Sequence, residues 1–162
     1  MKVNKLLLSI VSLGFSQLVW AESITDSFCA DSKKTAAEVT GQLPIQGDVI
    51  TTWVGTQALM LDGTCYLSNS YVVDDNKLID MLADSREQKG MSRNEAQVKK
   101  NLLSTPYKER FIDSVRQTSL RSAGEILKVP NVILRSSYGT TGDMEPFEIV
   151  IDTNKIKHNQ RH

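Results

Sequence analysis

The sequence predicts an α+β domain: an antiparallel sheet of about four strands with helices packed on one face and one disulfide. Three observations lead there. Helical periodicity and β-type runs fall in separate blocks, in the order helix, strand pair, helices, strand pair. Asp62-Gly63 lies between two apolar runs, and this dipeptide suits a tight primed turn, which needs positive φ at both central positions. The chain has two cysteines, Cys29 and Cys65, one in the first helical block and one just past that turn.

The chain opens with Lys2 and Lys5, an apolar run over residues 6–15, and then Val19-Trp20-Ala21 before Glu22. Basic end, apolar stretch and small-residue site in this order predict a signal peptide over residues 1–21, cut after Ala21. An uncleaved inner-membrane anchor is the alternative, although Ser9, Ser12, Ser16 and Gln17 interrupt a stretch short of the ~20 residues a spanning helix needs. Export implies the periplasm. There an even cysteine pair reads first as a structural disulfide, with two free thiols or a switchable bond as the alternatives. A single domain is expected over residues 22–152, followed by a polar, mobile tail over residues 153–162.

Within the domain, residues 23–40 place Ile24, Phe28, Ala36, Ala37 and Val39 at helical spacing, ending at Gly41. The β-branched and aromatic run from Val49 through Trp53 to Val54 predicts a strand, with Gly55 as a bulge. Its arm continues to Leu61, and residues 64–73 return as its hairpin partner, with Trp53 and Tyr66 as candidate cross-strand neighbours. Asp74 or Asp75 caps a helix carrying Leu78, Ile79, Met81 and Leu82 that stops near Gly90. Ser92 and Glu95 form a capping box for a short helix with Val98, Leu102 and Leu103. Thr105-Pro106 starts a third helix with Tyr107, Phe111, Ile112 and Val115 as its buried stripe, which weakens past Leu120. After Pro130, residues 132–134 and 147–151 read as two further strands.

Composition excludes several functions. Lys plus Arg and Asp plus Glu both number 19, so there is no basic excess for nucleic acid. The two histidines, His158 and His162, lie in the tail. There is no GxSxG nucleophile elbow, no CxxC, and no Cys/His set at metal spacing. The run from Tyr138 to Asp143 lacks the Lys and the following helix of a phosphate cradle. Asp74 and Asp75 lack the alternating oxygen ligands of a calcium loop. No catalytic residue, metal or cofactor is assigned, and the expectation is a non-enzymatic binding module. Open sheet edges accept a partner's strand by main-chain pairing. Val49 and Trp53 on one arm, with Phe147, Ile149 and Ile151 on the last strand, are the candidate partner-binding positions.

The export segment from Lys2 to Ala21, the pair Cys29 and Cys65, and the overall size and layout resemble the PsaF and MyfF proteins, and more distantly ToxS. These are accessory partners of membrane-bound regulators of virulence and fimbrial genes. The resemblance implies binding to the periplasmic domain of a transmembrane transcription regulator, whose activity or lifetime the accessory protein tunes while the partner contacts DNA. Two other readings remain: an immunity protein against a toxic hydrolase, and a secretion or fimbrial assembly helper.

Overall fold

The structure, a computed structural model, describes residues 12–159, with side chains for residues 24–156. Of the predicted signal segment, residues 1–11 lie outside the described residues. The chain begins with α1 (Ser12–Thr40), runs through β1 (Ile45–Gln46), β2 (Thr51–Leu61) and β3 (Thr64–Val73), and crosses over through α2 (Asp75–Gln88), α3 (Glu95–Leu102) and α4 (Thr105–Ala123). A 3-10 turn (Gly124–Lys128) leads to β4 (Val132–Thr140), β5 (Phe147–Asp152) and α5 (Thr153–Asn159). Among the described residues no helix is long and apolar enough to cross a membrane.

The α+β class holds, with two differences in the sheet. It has five strands, in the order β1-β2-β3-β4-β5, because Ile45 and Gln46 add a short edge strand against Trp53 and Thr52. Its central pair, β3 with β4, is parallel, from Cys65 beside Val132 to Val73 beside Thr140. Parallel neighbours need a long crossover, and α2, α3 and α4 supply one that returns the chain to the end of the sheet where β3 began. The remaining pairs are antiparallel.

The Asp62-Gly63 turn forms as expected, with φ of 48° and 72°, joining Leu61 to Thr64. The predicted bulge is also present: the β2–β3 register shifts between Trp53 and Gly55. A bulge inserts one residue and so exchanges the faces of everything beyond it. Trp53 faces the helical layer opposite Tyr71, but past the bulge the even-numbered Ala58 and Met60 take over that face, opposite Leu67 and Cys65. Leu59 and Leu61 are left 54% and 53% exposed on the uncovered face.

The helices lie on the other face, α1 against β2 and β3 and α4 against β5. Asp74 is the α2 cap, its carboxylate accepting the Lys77 N–H at 3.1 Å. The second cap differs from expectation. Asn94, not Ser92, accepts the Gln97 N–H at 2.9 Å, leaving Glu95 free to bind Arg93 together with Asp84. Met81, Leu103 and Tyr107, expected on buried stripes, are exposed. Residues 153–159, read as part of a polar tail, form α5, anchored by the buried Thr153, whose hydroxyl accepts the Val132 N–H.

The core is divided. One cluster joins Val73, Leu78, Leu102 and Met144 at the α2 end of the sheet; the other joins Cys29, Cys65 and Val132 at the opposite end.

The Asp74 cap yields a pH prediction. Its carboxyl is held below the ordinary value of 3.8, first by the Lys77 backbone N–H. A depressed acid stabilises the fold above its unfolded pKa, and that contribution is lost as pH falls through the folded pKa. Asp74→Asn keeps a good cap without the titration. Its urea midpoint is therefore expected to fall less steeply than that of the natural protein on acidification below about pH 4; equal acid limbs would reject this role for Asp74.

Candidate functional site: two sheet edges and an interhelical cleft

The structure separates the five predicted partner-binding residues. Val49 is on no strand: the Asp48 carboxylate accepts the N–H groups of Ile50 and Thr51 at 2.8 and 2.7 Å, a local turn that delays β2 until Thr51. Val49 is 73% exposed in that turn. Trp53 is on β2 but points into the helical layer, stacked on Tyr71 at 6.4 Å, with its indole N–H donating to the Gly55 carbonyl at 2.8 Å. Its expected neighbour Tyr66 pairs instead with Leu59, because the tight Asp62-Gly63 turn places Tyr66 near the hairpin tip, far along β2 from Trp53.

Phe147, Ile149 and Ile151 do lie on an edge strand, since β5 is the last of the sheet and pairs on one side with β4. Ile149 and Ile151 are only 1% and 5% exposed, so they fix the strand to the core and offer no side chain to a partner. The open edge presents main-chain groups flanked by Glu148 and Val150. Arg135 pairs with Glu148 across the outer face. The opposite margin is less open: β1 covers Thr52 and Trp53, α1 packs along β2, and the Gly55 carbonyl is already taken.

Cys29 and Cys65 are joined as expected, with Cα atoms 5.6 Å apart and both residues buried. The bond ties α1 to the start of β3. Thr25 adds a second tie on the same helix, donating to the Pro130 carbonyl at 2.8 Å.

Three features have no local sequence signal. An aromatic row runs from Trp53 through Tyr71, Tyr138 and Phe147 to Phe111, with successive ring centroids 6.4, 5.0, 4.7 and 5.8 Å apart. Burial, and then the neighbouring Tyr138, raise the Tyr71 hydroxyl above its usual pKa. The row could be found only from the register of four strands. The second feature is a latch: buried Asp75 accepts the Met144 N–H at 3.0 Å and donates its own N–H to the Thr141 hydroxyl, while the salt bridges Lys99–Asp143 and Lys108–Glu145 hold the same loop. Gly142 lies against Asp75 so closely that a Cβ there would meet its carboxylate at 2.7 Å. The third is a cleft of about 640 Å³ between α4 and the sheet.

Among the described residues no group of three or more His, Cys, Asp or Glu side chains is placed to hold a metal ion. No family model and no curated protein sequence matches the chain. A crystal structure of a Pseudomonas aeruginosa protein described as secreted aligns at 15% identity, covering 81% of this chain and 94% of that one, with a TM-score of 0.36. Similarity at that level is too slight to carry an argument.

Proposed function

We propose that the protein is an exported, non-enzymatic accessory protein that binds a domain of a partner protein in the periplasm, the partner being a transmembrane transcription regulator of virulence or fimbrial genes. The observation that carries the binding role is the outer edge of β5, where Phe147–Asp152 pairs with β4 alone. Natural edges are commonly blunted by Lys, Pro or a bulge. None of these occurs within Phe147–Asp152, whose register against β4 is unbroken. Strand addition there supplies main-chain affinity, and the alternation of Glu148, Val150 and Asp152 on the outer face supplies selectivity. Export is supported by the Lys2 to Ala21 segment and by the buried cysteine pair, which suits an oxidising compartment. The choice of a regulator as partner rests on the resemblance in layout to the PsaF and MyfF proteins.

The test is a pull-down between the purified, disulfide-intact protein and the periplasmic domain of a membrane regulator encoded beside it. Binding at or below tens of micromolar is expected. A proline at a β5 position whose N–H points away from β4 should abolish it while the fold persists. Deleting the protein should lower the regulator's amount without changing its transcript, because a bound partner stabilises by mass action. Absence of binding together with unchanged regulator levels would retire the regulator reading.

A further inference from the structure

The cleft between α4 and the sheet lies where a continuous core is expected. A domain of this size ordinarily has one contiguous cluster, yet here the two clusters occupy opposite ends of the strands. On β3 the helix-facing residues run Cys65, Leu67, Asn69, Tyr71, Val73; on β4 they run Val132, Leu134, Ser136, Tyr138. Asn69 and Ser136 are register partners at the midpoint of both strands, on the floor of the cleft. Asn is disfavoured in strands, and a polar pair at the centre of a sheet's covered face breaks the binary pattern that builds a core. Such local violations are expected where function overrides folding. Neither side chain hydrogen-bonds to another described residue, so both stay available to something in the cleft.

The wall opposite explains why the space is there. α4 presents Phe111, Val115, Ser119 and Ala123 to the cleft, with Ser114, Thr118 and Ser122 exposed beside them, and at Ser119 and Ala123 a core-facing helix would carry Leu or Ile. The small Ser119 and Ala123 keep the helix from filling the gap, and Ser119 brings a hydroxyl to it. One end of the floor is the aromatic row, with Tyr71, Tyr138 and Phe147 stacked and Phe111 edge-on. The lining holds no Lys, Arg or His, and its single carboxylate, Asp48, is engaged by the Ile50 and Thr51 N–H groups. A second space of about 430 Å³ beneath α1 also reaches Asn69 and Tyr71.

We infer that this cleft is a binding site for an uncharged, amphipathic small molecule with a flat ring system. Its volume lies in the range of small-molecule sites, and apolar surface with a few convergent polar groups is their usual make-up. Because Tyr71, Tyr138 and Phe147 stack on one another, the row offers a flat ring its ring edges, an edge-to-face contact. The Asn69 amide, both donor and acceptor, orients a polar substituent together with the Ser136 and Ser119 hydroxyls. An anionic ligand would lose its hydration with no cation in the lining, and a cationic one would find only Asp48, whose Oδ1 already accepts two backbone N–H groups, so a neutral ligand is favoured. The site is separate from the β5 edge, and either can fail without the other.

The probe is N-phenyl-1-naphthylamine, a neutral amine carrying one naphthyl and one phenyl group, compared with 1-anilinonaphthalene-8-sulfonate, which adds one negative charge to the same rings. Saturable fluorescence enhancement with one site per chain is expected for the neutral probe, and binding at least about ten-fold weaker for the sulfonate. Ser119→Phe, which fills the cleft, should weaken the neutral probe by about ten-fold or more, and Asn69→Ala, which adds no volume, by several-fold. Leu59→Ser on the uncovered face should leave it unchanged. Equal affinity for the two probes, no effect of Asn69→Ala, or loss of binding in Leu59→Ser would each overturn the assignment. Asn69→Ala decides the matter even if Ser119→Phe fails to fold.

Discussion

Replacing Cys29 and Cys65 together by Ala is expected to lower the unfolding free energy by about 4 kcal/mol. The bond spans a sequence separation of 36 residues, and a closed loop of that length removes about that much chain entropy from the unfolded state. The native side adds to the loss. Both sulfurs lie in the cluster that includes Val132, and truncation leaves a gap among Phe28, Met60, Leu67 and Leu134. α1 depends on the bond because the bond joins it to the start of β3, beside the Thr25 hydrogen bond to the Pro130 carbonyl. Urea unfolding of the oxidised protein and the double variant, fitted separately, measures the difference. A loss below about 1 kcal/mol would mean that α1 packs well enough without the staple. The same energy predicts a compartment dependence: a version lacking residues 1–21, kept in a reducing cytosol, should accumulate poorly because a larger unfolded fraction is open to proteolysis.

The parts of this fold that were legible in the sequence are those whose cause is local. Asp62-Gly63 dictates the hairpin because few other dipeptides accept positive φ twice. Asp74 announces α2 because a short side-chain oxygen must reach an N–H three residues on. Where two caps compete locally, the reading failed: Ser92 with Glu95 fits the pattern, but Asn94 takes the role and Arg93 claims the glutamate. Long-range pairing left fewer signs. Nothing in residues 132–134 says that they join β3 in parallel, since their apolar run fits either direction. The bulge was visible as Gly55, but its consequence, exchanging the faces of the whole β2 arm, needed the register.

The candidate site was legible only as a backbone property. An edge strand near residues 147–151 was foreseen, while the alternation that buries Ile149 and Ile151 makes the outward neighbours Glu148 and Val150 the ones a partner meets. Val49 failed because Asp48 captures the following N–H groups, which a count of β-branched residues does not register. The cleft left one trace, the fading of the apolar stripe along α4. There Ser119 stands where burial would call for a larger residue, and the sequence alone reads that as a helix losing contact with its core.

Two substitutions of opposite sign separate packed core from open cleft. Leu78→Ala is expected to destabilise by about 2–5 kcal/mol. Leu78 is 1% exposed, packed with Val73, Leu102 and Met144, and its loss opens a cavity at the junction of α2, the sheet and the latched loop. Ser119→Leu is expected to stabilise by about 0.5–1.5 kcal/mol. Leu is the better helix former, and at this half-buried position it covers apolar surface of the cleft without displacing a packed neighbour. If α4 were close-packed on the sheet, the same change would overpack it and cost about 1–3 kcal/mol. Thermal and urea unfolding of both variants therefore read the cleft directly, and a destabilised Ser119→Leu would count against an open site. A stabilised variant that no longer binds the neutral probe would mean that the chain forgoes available stability to keep this space open, the usual mark of a site retained for a ligand.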